Sequence, residues 1–281
     1  MGTVLRLGEV SVAFAGAEGI HTVLQELEVQ VERGEWLAVV GRNGSGKSTL
    51  GRVLAGLLPV SRGTVERAEG RVQLVFQNPD AQIVGETVWE DVSFGLENLA
   101  VPPQEMPERV EAALRLVGLL HKRDADVATL SGGQKQLLAV AGCLAMEAET
   151  LVFDEATSML DPESRARLLQ VAGELHRAGR TVIWITQWME EVSHAQRVLA
   201  LEAGRAVFDG TPEAFFYGEQ VRTGASGEGS SAKFLSERRT PCEHLDFAAP
   251  YVVQVARELE RRGVALRTRP LLPEQLGDAV R

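Results

Sequence analysis

Cysteine is scarce in this 281-residue chain. There are two, Cys143 and Cys242, far apart and without metal-ligand spacing. A disulfide framework and a thiolate metal cluster are excluded, and both thiols are expected to be unpaired. Positive charge is also in short supply. Lys and Arg number 29 against 39 Asp and Glu, a net charge of −10. That balance argues against general nucleic-acid binding, so no nucleic-acid partner is expected. No apolar run approaches the ~20 residues that a membrane-spanning helix needs. Residues 1–10 hold no signal-peptide core, so export is not expected. No long heptad segment and no internal repeat is present. What remains is an ordinary globular composition, 44% hydrophobic and 24% charged, with length for one large or two modest domains.

The most informative stretch is Gly41-Arg-Asn-Gly-Ser-Gly-Lys-Ser-Thr49. It follows the apolar run Trp36–Val40 and precedes a helical pattern over Leu50–Leu58. Strand, glycine-rich loop and helix in that order make a phosphate-binding loop. Gly41, Gly44 and Gly46 let backbone N–H groups curl around an anion, with Asn43 and Ser45 between them. The next helix adds its positive end. Lys47 supplies a point charge for the β- and γ-phosphates. The Ser48 hydroxyl is suited to Mg²⁺, and Thr49 completes the turn. ATP and Mg²⁺ are the cofactors this chemistry implies.

Short β-like runs alternate with helical patterns, which predicts an α/β fold with a largely parallel sheet. Residues 3–40 instead suggest an antiparallel β-region. Strands are expected over 72–76, 150–154 and 181–186, and a hairpin over 197–208 turning at Ala203-Gly204. Residues 80–128 read as mostly helical, broken near Val101–Gln104. Residues 223–232 are small and polar and are expected to be flexible. Order is expected again near Pro250, with an amphipathic helix over 251–262 closed by Gly263.

Asp154 and Glu155 end an apolar strand, where ligands of open α/β sheets gather. Asp154 is placed to hold Mg²⁺. Glu155 taken alone reads better as a helix cap; paired with the phosphate loop it becomes a candidate to polarise the attacking water. Ser131 and Gln134 form a capping box around Gly132 and Gly133. A helix start left bare by two glycines is a second anion site. One loop already serves one nucleotide, so this second site points to the nucleotide of another chain.

Leu130-Ser-Gly-Gly-Gln-Lys-Gln136, together with the phosphate loop, resembles the signature sequence of ATP-binding cassette ATPases. The resemblance implies a P-loop NTPase cassette with an N-terminal antiparallel β-region, a helical subdomain and a small C-terminal helical extension. It implies that Gln77 senses Mg²⁺ and a transmembrane partner, that Asp161 crosses a dimer interface, and that Phe14 stacks on adenine. Phe76–Gln82 and Thr87–Asn98 resemble, more narrowly, the ATPases of energy-coupling factor transporters, which import vitamins or transition-metal ions. A second ATPase chain, identical or not, an integral membrane scaffold and a substrate-binding membrane subunit are the implied partners. The cytoplasmic face of the membrane is the implied location. The implied organisation is a cassette over 1–217, with its helical subdomain at about 80–140. A flexible insertion or linker covers 218–247, and a helical dimerisation segment covers 248–281.

One position departs from the pattern. The strand ending at Thr186 should be followed by histidine, and Gln187 stands there. Glutamine can donate and accept hydrogen bonds but carries no charge. Either Gln187 positions the γ-phosphate well enough for turnover, or this site hydrolyses slowly beside a complete site on a partner. With Glu155 intact, hydrolysis is expected to be impaired but not absent. A regulatory cassette, the ATPase of another transporter type, or a cassette protein of DNA repair or ribosomes are the alternatives.

Overall fold

The computed structural model describes residues 2–16, 19–218 and 239–280. Two strands, β1 (Thr3–Gly16) and β2 (Gly19–Glu32), pair antiparallel. With β4 (Arg62–Arg67) they form a three-stranded sheet ordered β2-β1-β4. The expected antiparallel region is thus present; β4 carries too few apolar residues to announce itself.

The second sheet has six strands, ordered β5-β6-β7-β3-β8-β9. These are β3 (Trp36–Val40), β5 (Arg71–Val75), β6 (Ala148–Asp154), β7 (Thr181–Ile185), β8 (Arg197–Glu202) and β9 (Arg205–Gly210). All neighbours run parallel except β9, which turns back on β8. Parallel strands need both faces covered, and β3 shows how that is met. Trp36, Ala38 and Val40 face one core, while Leu37 and Val39 face the other. The two-residue alternation of a strand sends successive side chains to opposite sides. The second core lies between the two sheets and takes Leu24, Leu27 and Leu50. The first lies under the helices and takes Phe153 and Trp184, whose rings sit 4.7 Å apart.

Helix α1 (Lys47–Leu54) begins and ends earlier than the apolar pattern suggested. Ala55 and Gly56 form a turn after it, and Leu57 and Leu58 a bend. The helical subdomain holds α2 (Val88–Asn98), α3 (Met106–Val117) and α4 (Gly132–Ala145). Helix α5 (Pro162–Arg177) covers the sheet. Two short helices follow, α6 (Met189–Val192) and α7 (Pro212–Tyr217).

Residues 219–238 of the expected linker lie outside the described residues. Its end, 239–247, contains the helix Pro241–His244, started by a Thr240–Glu243 capping box. Helical structure is therefore present before Pro250, earlier than the sequence suggested. The helix Tyr251–Arg261 follows, closed by Gly263 at φ +83°. Cys242, Leu245, Val252 and Val253 join the core of the cassette itself. Both cysteines are free and buried. No helix among the described residues is long and apolar enough to cross a membrane.

Candidate active site

Parallel strands bring their carboxyl ends to one edge, and the expected site residues emerge there. Val40 leads into Gly41, Asp154 ends β6, Ile185 leads to Gln187, and Val75 leads to Gln77. Gly41 packs so closely that a Cβ would lie 2.3 Å from the Leu201 carbonyl oxygen. Gly46 starts α1 at φ +100° with no side-chain cap. The first helical hydrogen bond is Leu50 N–H to the Gly46 carbonyl, 2.8 Å. The N–H groups before it have no partner within the helix. With no acidic side chain in that first turn, these N–H groups can accept an anion.

Lys47 is 4% exposed. Its ammonium donates to the carbonyls of Gly41 (2.8 Å) and Arg42 (3.2 Å) and lies 3.4 Å from Glu155. Burial lowers its pKa, with Glu155 pulling the other way. The Ser48 hydroxyl donates to Asp154 Oδ1 at 2.9 Å. Burial raises the Asp154 pKa, opposed by that hydrogen bond. Two hard oxygens at this separation suit neighbouring positions of an octahedral Mg²⁺ shell, whose adjacent oxygens are ~2.9 Å apart. The described residues hold no cluster of three or more His, Cys, Asp or Glu side chains fit for a metal. Such a donor set fits Mg²⁺, which keeps water and substrate phosphates as its other ligands.

Glu155 adopts φ +48°, a costly conformation for a residue with a Cβ and one that gathers at functional sites. Its N–H is tied to the Ile185 carbonyl at 3.0 Å. The Gln187 amide donates to Glu155 Oε1 and to Asn43 Oδ1, each at 2.8 Å. Gln187 thus joins the phosphate loop to the acidic loop. Glu155 and Gln187 border a cleft of about 280 Å³, lined also by Thr157, Ser158, Thr186 and Trp188. Gln77 reaches the same rim, donating to Ser158 Oγ at 3.1 Å.

The remaining predicted residues stand elsewhere. Ser131 and Gln134 form the expected capping box at the start of α4, and Lys122 donates to Gln134 Oε1 at 3.1 Å. Gly132 is open to solvent, whereas a Cβ on Gly133 would strike Ser164. Asp161 caps α5, accepting from the Glu163 and Ser164 N–H groups and the Ser164 hydroxyl. Those bonds, chiefly from Ser164, lower its pKa. Ser131–Gly133 and Asp161 are therefore neighbours, and their partners here belong to neither the phosphate loop nor the acidic loop. Phe14 is 44% exposed near the tip of the β1–β2 hairpin. It lies two positions beyond Val12, whose strand partner Leu24 abuts Gly46. Sequence reasoning passed over Thr157, Ser158, Thr186 and Trp188; their one signal was proximity to the ends of β6 and β7.

A family model described as ABC transporter matches residues 24–158. The chain is 40% identical over 283 aligned residues to an energy-coupling factor transporter ATP-binding protein of Halalkalibacterium halodurans, covering 96% of this chain and 95% of that one. The corresponding protein of Methanosarcina acetivorans is 38% identical, covering 86% of each. Among solved structures, cbiO1 from Clostridium perfringens, part of the ABC transporter complex cbiONQ, superposes with a TM-score of 0.69 and 31% identity. It covers 77% of this chain and 92% of its own. The dimeric cassette MJ0796 shares the fold at 23% identity and a TM-score of 0.67, covering 74% and 98%. A glycine-lined anion cradle, a Ser–Asp oxygen pair and a strained glutamate on one sheet edge agree with this kinship: the chain belongs to the ATP-binding proteins of energy-coupling factor transporters, within the ABC transporter ATPases.

Proposed function

We propose that this chain binds and hydrolyses ATP to power an energy-coupling factor importer of vitamins or transition-metal ions, on the cytoplasmic face of a membrane. The observation that carries the reading is that contacts link Lys47 and Gln187 to Glu155, and Ser48 to the adjacent Asp154, at one edge of the sheet. Lys47 and the α1 N–H groups bind the phosphates. Ser48, Asp154 and Gln77 hold Mg²⁺, which when bound neutralises phosphate charge. Glu155 takes a proton from water as that water's oxygen bonds to the γ-phosphorus and the β–γ bridging bond breaks, giving ADP and phosphate. Phe14 stacks on adenine.

Two cassettes, alike or different, face one another head to tail. The Ser131–Gln134 turn of each, exposed at Ser131 and Gly132 and with Asp161 beside it, covers the nucleotide on the other. ATP has higher affinity for the closed pair, so binding closes it and hydrolysis lets it open. The motion passes to a membrane scaffold subunit. A groove of about 460 Å³ near the Gln77 loop, flanked by Val84, Trp89 and Phe94, is the surface for it. The solute is chosen by a separate membrane subunit. The test is ATP-driven dimerisation by light scattering. Glu155→Gln is expected to accumulate a closed, ATP-loaded pair, and Lys47→Ala to bind ATP at least 100-fold more weakly. Normal turnover in the first variant, or normal affinity in the second, removes the assignment.

A second reading concerns rate. Gln187 uses both amide hydrogens on Asn43 and Glu155. It supplies no titrating group, and a missing transition-state donor costs on the order of 10²–10³ in rate. Gln187→His is expected to raise ATPase of the assembled complex and to add a pH dependence near the histidine pKa of about 6.5. An unchanged rate shows that this position does not limit turnover.

A further inference from the structure

Behind the cleft lies a carboxylate that the hydrolysis scheme does not use. Glu191, on α6, is 1% exposed. A glutamate so deeply enclosed persists only where its charge is partnered. Its Oε1 accepts from the Thr157 hydroxyl at 2.6 Å. Its Oε2 accepts from the Trp184 indole N–H at 2.8 Å and the Thr186 hydroxyl at 2.5 Å. Arg165 Nε lies 3.8 Å from Oε1.

These partners come from distinct parts of the catalytic rim. Thr157 is two residues beyond Glu155, and Thr186 immediately precedes Gln187. Trp184 is set in β7. Arg165 is one turn into α5 from Asp161, and its guanidinium lies 3.8 Å from the centre of the Trp188 ring. The Thr186 hydroxyl also accepts from the Trp188 N–H at 3.0 Å. The loop carrying Glu155 and the loop carrying Gln187 are therefore fastened from behind to one buried carboxylate. In front they meet at the 2.8 Å Gln187–Glu155 hydrogen bond.

We propose that Glu191 is a positioning residue for ATP hydrolysis. It fixes the separation of the two loops and so aims the Glu155 carboxylate at water. The inference rests on the hydrolytic reading above. A carboxylate is the one side chain that can accept from three donors of this kind and face a guanidinium at once. Misplacing a reacting group by about 1 Å can cost on the order of 10²-fold in rate, so a fastening of this kind acts on kcat.

The experiment is steady-state ATPase of the full chain with the subunits that co-purify with it. Glu191→Gln keeps the side-chain length but removes the charge. Thr157→Val cuts only the tie from the Glu155 loop, and Thr157→Ser retains that hydroxyl. Glu191→Gln and Thr157→Val are expected to lower kcat about 10- to 100-fold while KM for ATP stays within about twofold, with Thr157→Ser restoring the rate. In a Glu155→Gln background neither substitution should lower the residual rate further, because the group being aimed is gone. A kcat near wild type in both variants, or an equal proportional loss in the Glu155→Gln background, overturns the proposal and leaves the ATPase reading standing. If Glu191→Gln does not fold, the Thr157→Val and Thr157→Ser pair decides by the same criteria. A wild-type complex with no Mg²⁺-dependent ATPase overturns the functional reading, and the positioning role falls with it.

Discussion

Asp154 is a carboxyl buried at the end of β6. Its carboxyl is 5% exposed, and burial holds its pKa above the ordinary value. The folded-state pKa exceeds the unfolded one, so the ionised carboxylate opposes folding at neutral pH. That opposition fades as pH falls through the raised pKa. Asp154→Asn keeps an oxygen for the Ser48 hydroxyl and discards the charge. The nucleotide-free variant is expected to melt about 2–4 °C higher, the equivalent of ~1 kcal/mol in a domain of this size, and to lose Mg²⁺-dependent hydrolysis. Calorimetry without and with Mg²⁺ reads both effects; a lower melting temperature would show that the charge serves the fold. Protonation should also weaken Mg²⁺ binding from a higher pH than an ordinary carboxylate would. Glu155 is a parallel case in the backbone, its left-handed φ held by the Ile185 carbonyl.

At the level of elements, the helical subdomain is wired to the nucleotide edge. The Gln136 amide, on α4, donates to the Phe76 carbonyl at 2.8 Å, just before Gln77. Lys135 pairs with Asp80 at 2.7 Å. Asp91, on α2, accepts from the Val84 and Gly85 N–H groups. The Gln77 loop is thus clamped between α2 and the helix that begins at Ser131. These contacts join the groove face of α2 to the Gln77 loop and to the helix that the capping box begins. Phe94 and Val84 stay 45% and 63% exposed on that face, an apolar surface suited to a partner. Phe94→Glu is expected to abolish co-purification of the membrane subunit and to leave ATP affinity of the isolated chain within about twofold. Retention of the membrane subunit by this variant would move the docking surface elsewhere.

Across the whole molecule, the pieces that were legible are those with local causes. The phosphate loop, the α4 capping box and the apolar runs of β3, β6 and β7 declare themselves because turn geometry, capping and burial on both faces each demand particular residues at short spacing. Strand β4 and the turn after α1 did not, because their form follows from what they pack against. The C-terminal segment shares its core with the cassette through Val252 and Val253, which spacing alone does not disclose. Arg42 of the phosphate loop even pairs with Asp246, at 2.9 Å. Residue order was enough to show which backbone can cradle phosphate, which oxygens can take Mg²⁺, and that glutamine stands at 187 where the resemblance implies histidine. Tertiary structure alone decided that Gln187 bridges Asn43 and Glu155, and that Glu191 gathers Thr157, Trp184 and Thr186. The reason is range: a cap or a glycine turn closes within a few residues, whereas these contacts span up to 144 positions and exist only once parallel strands have aligned their ends.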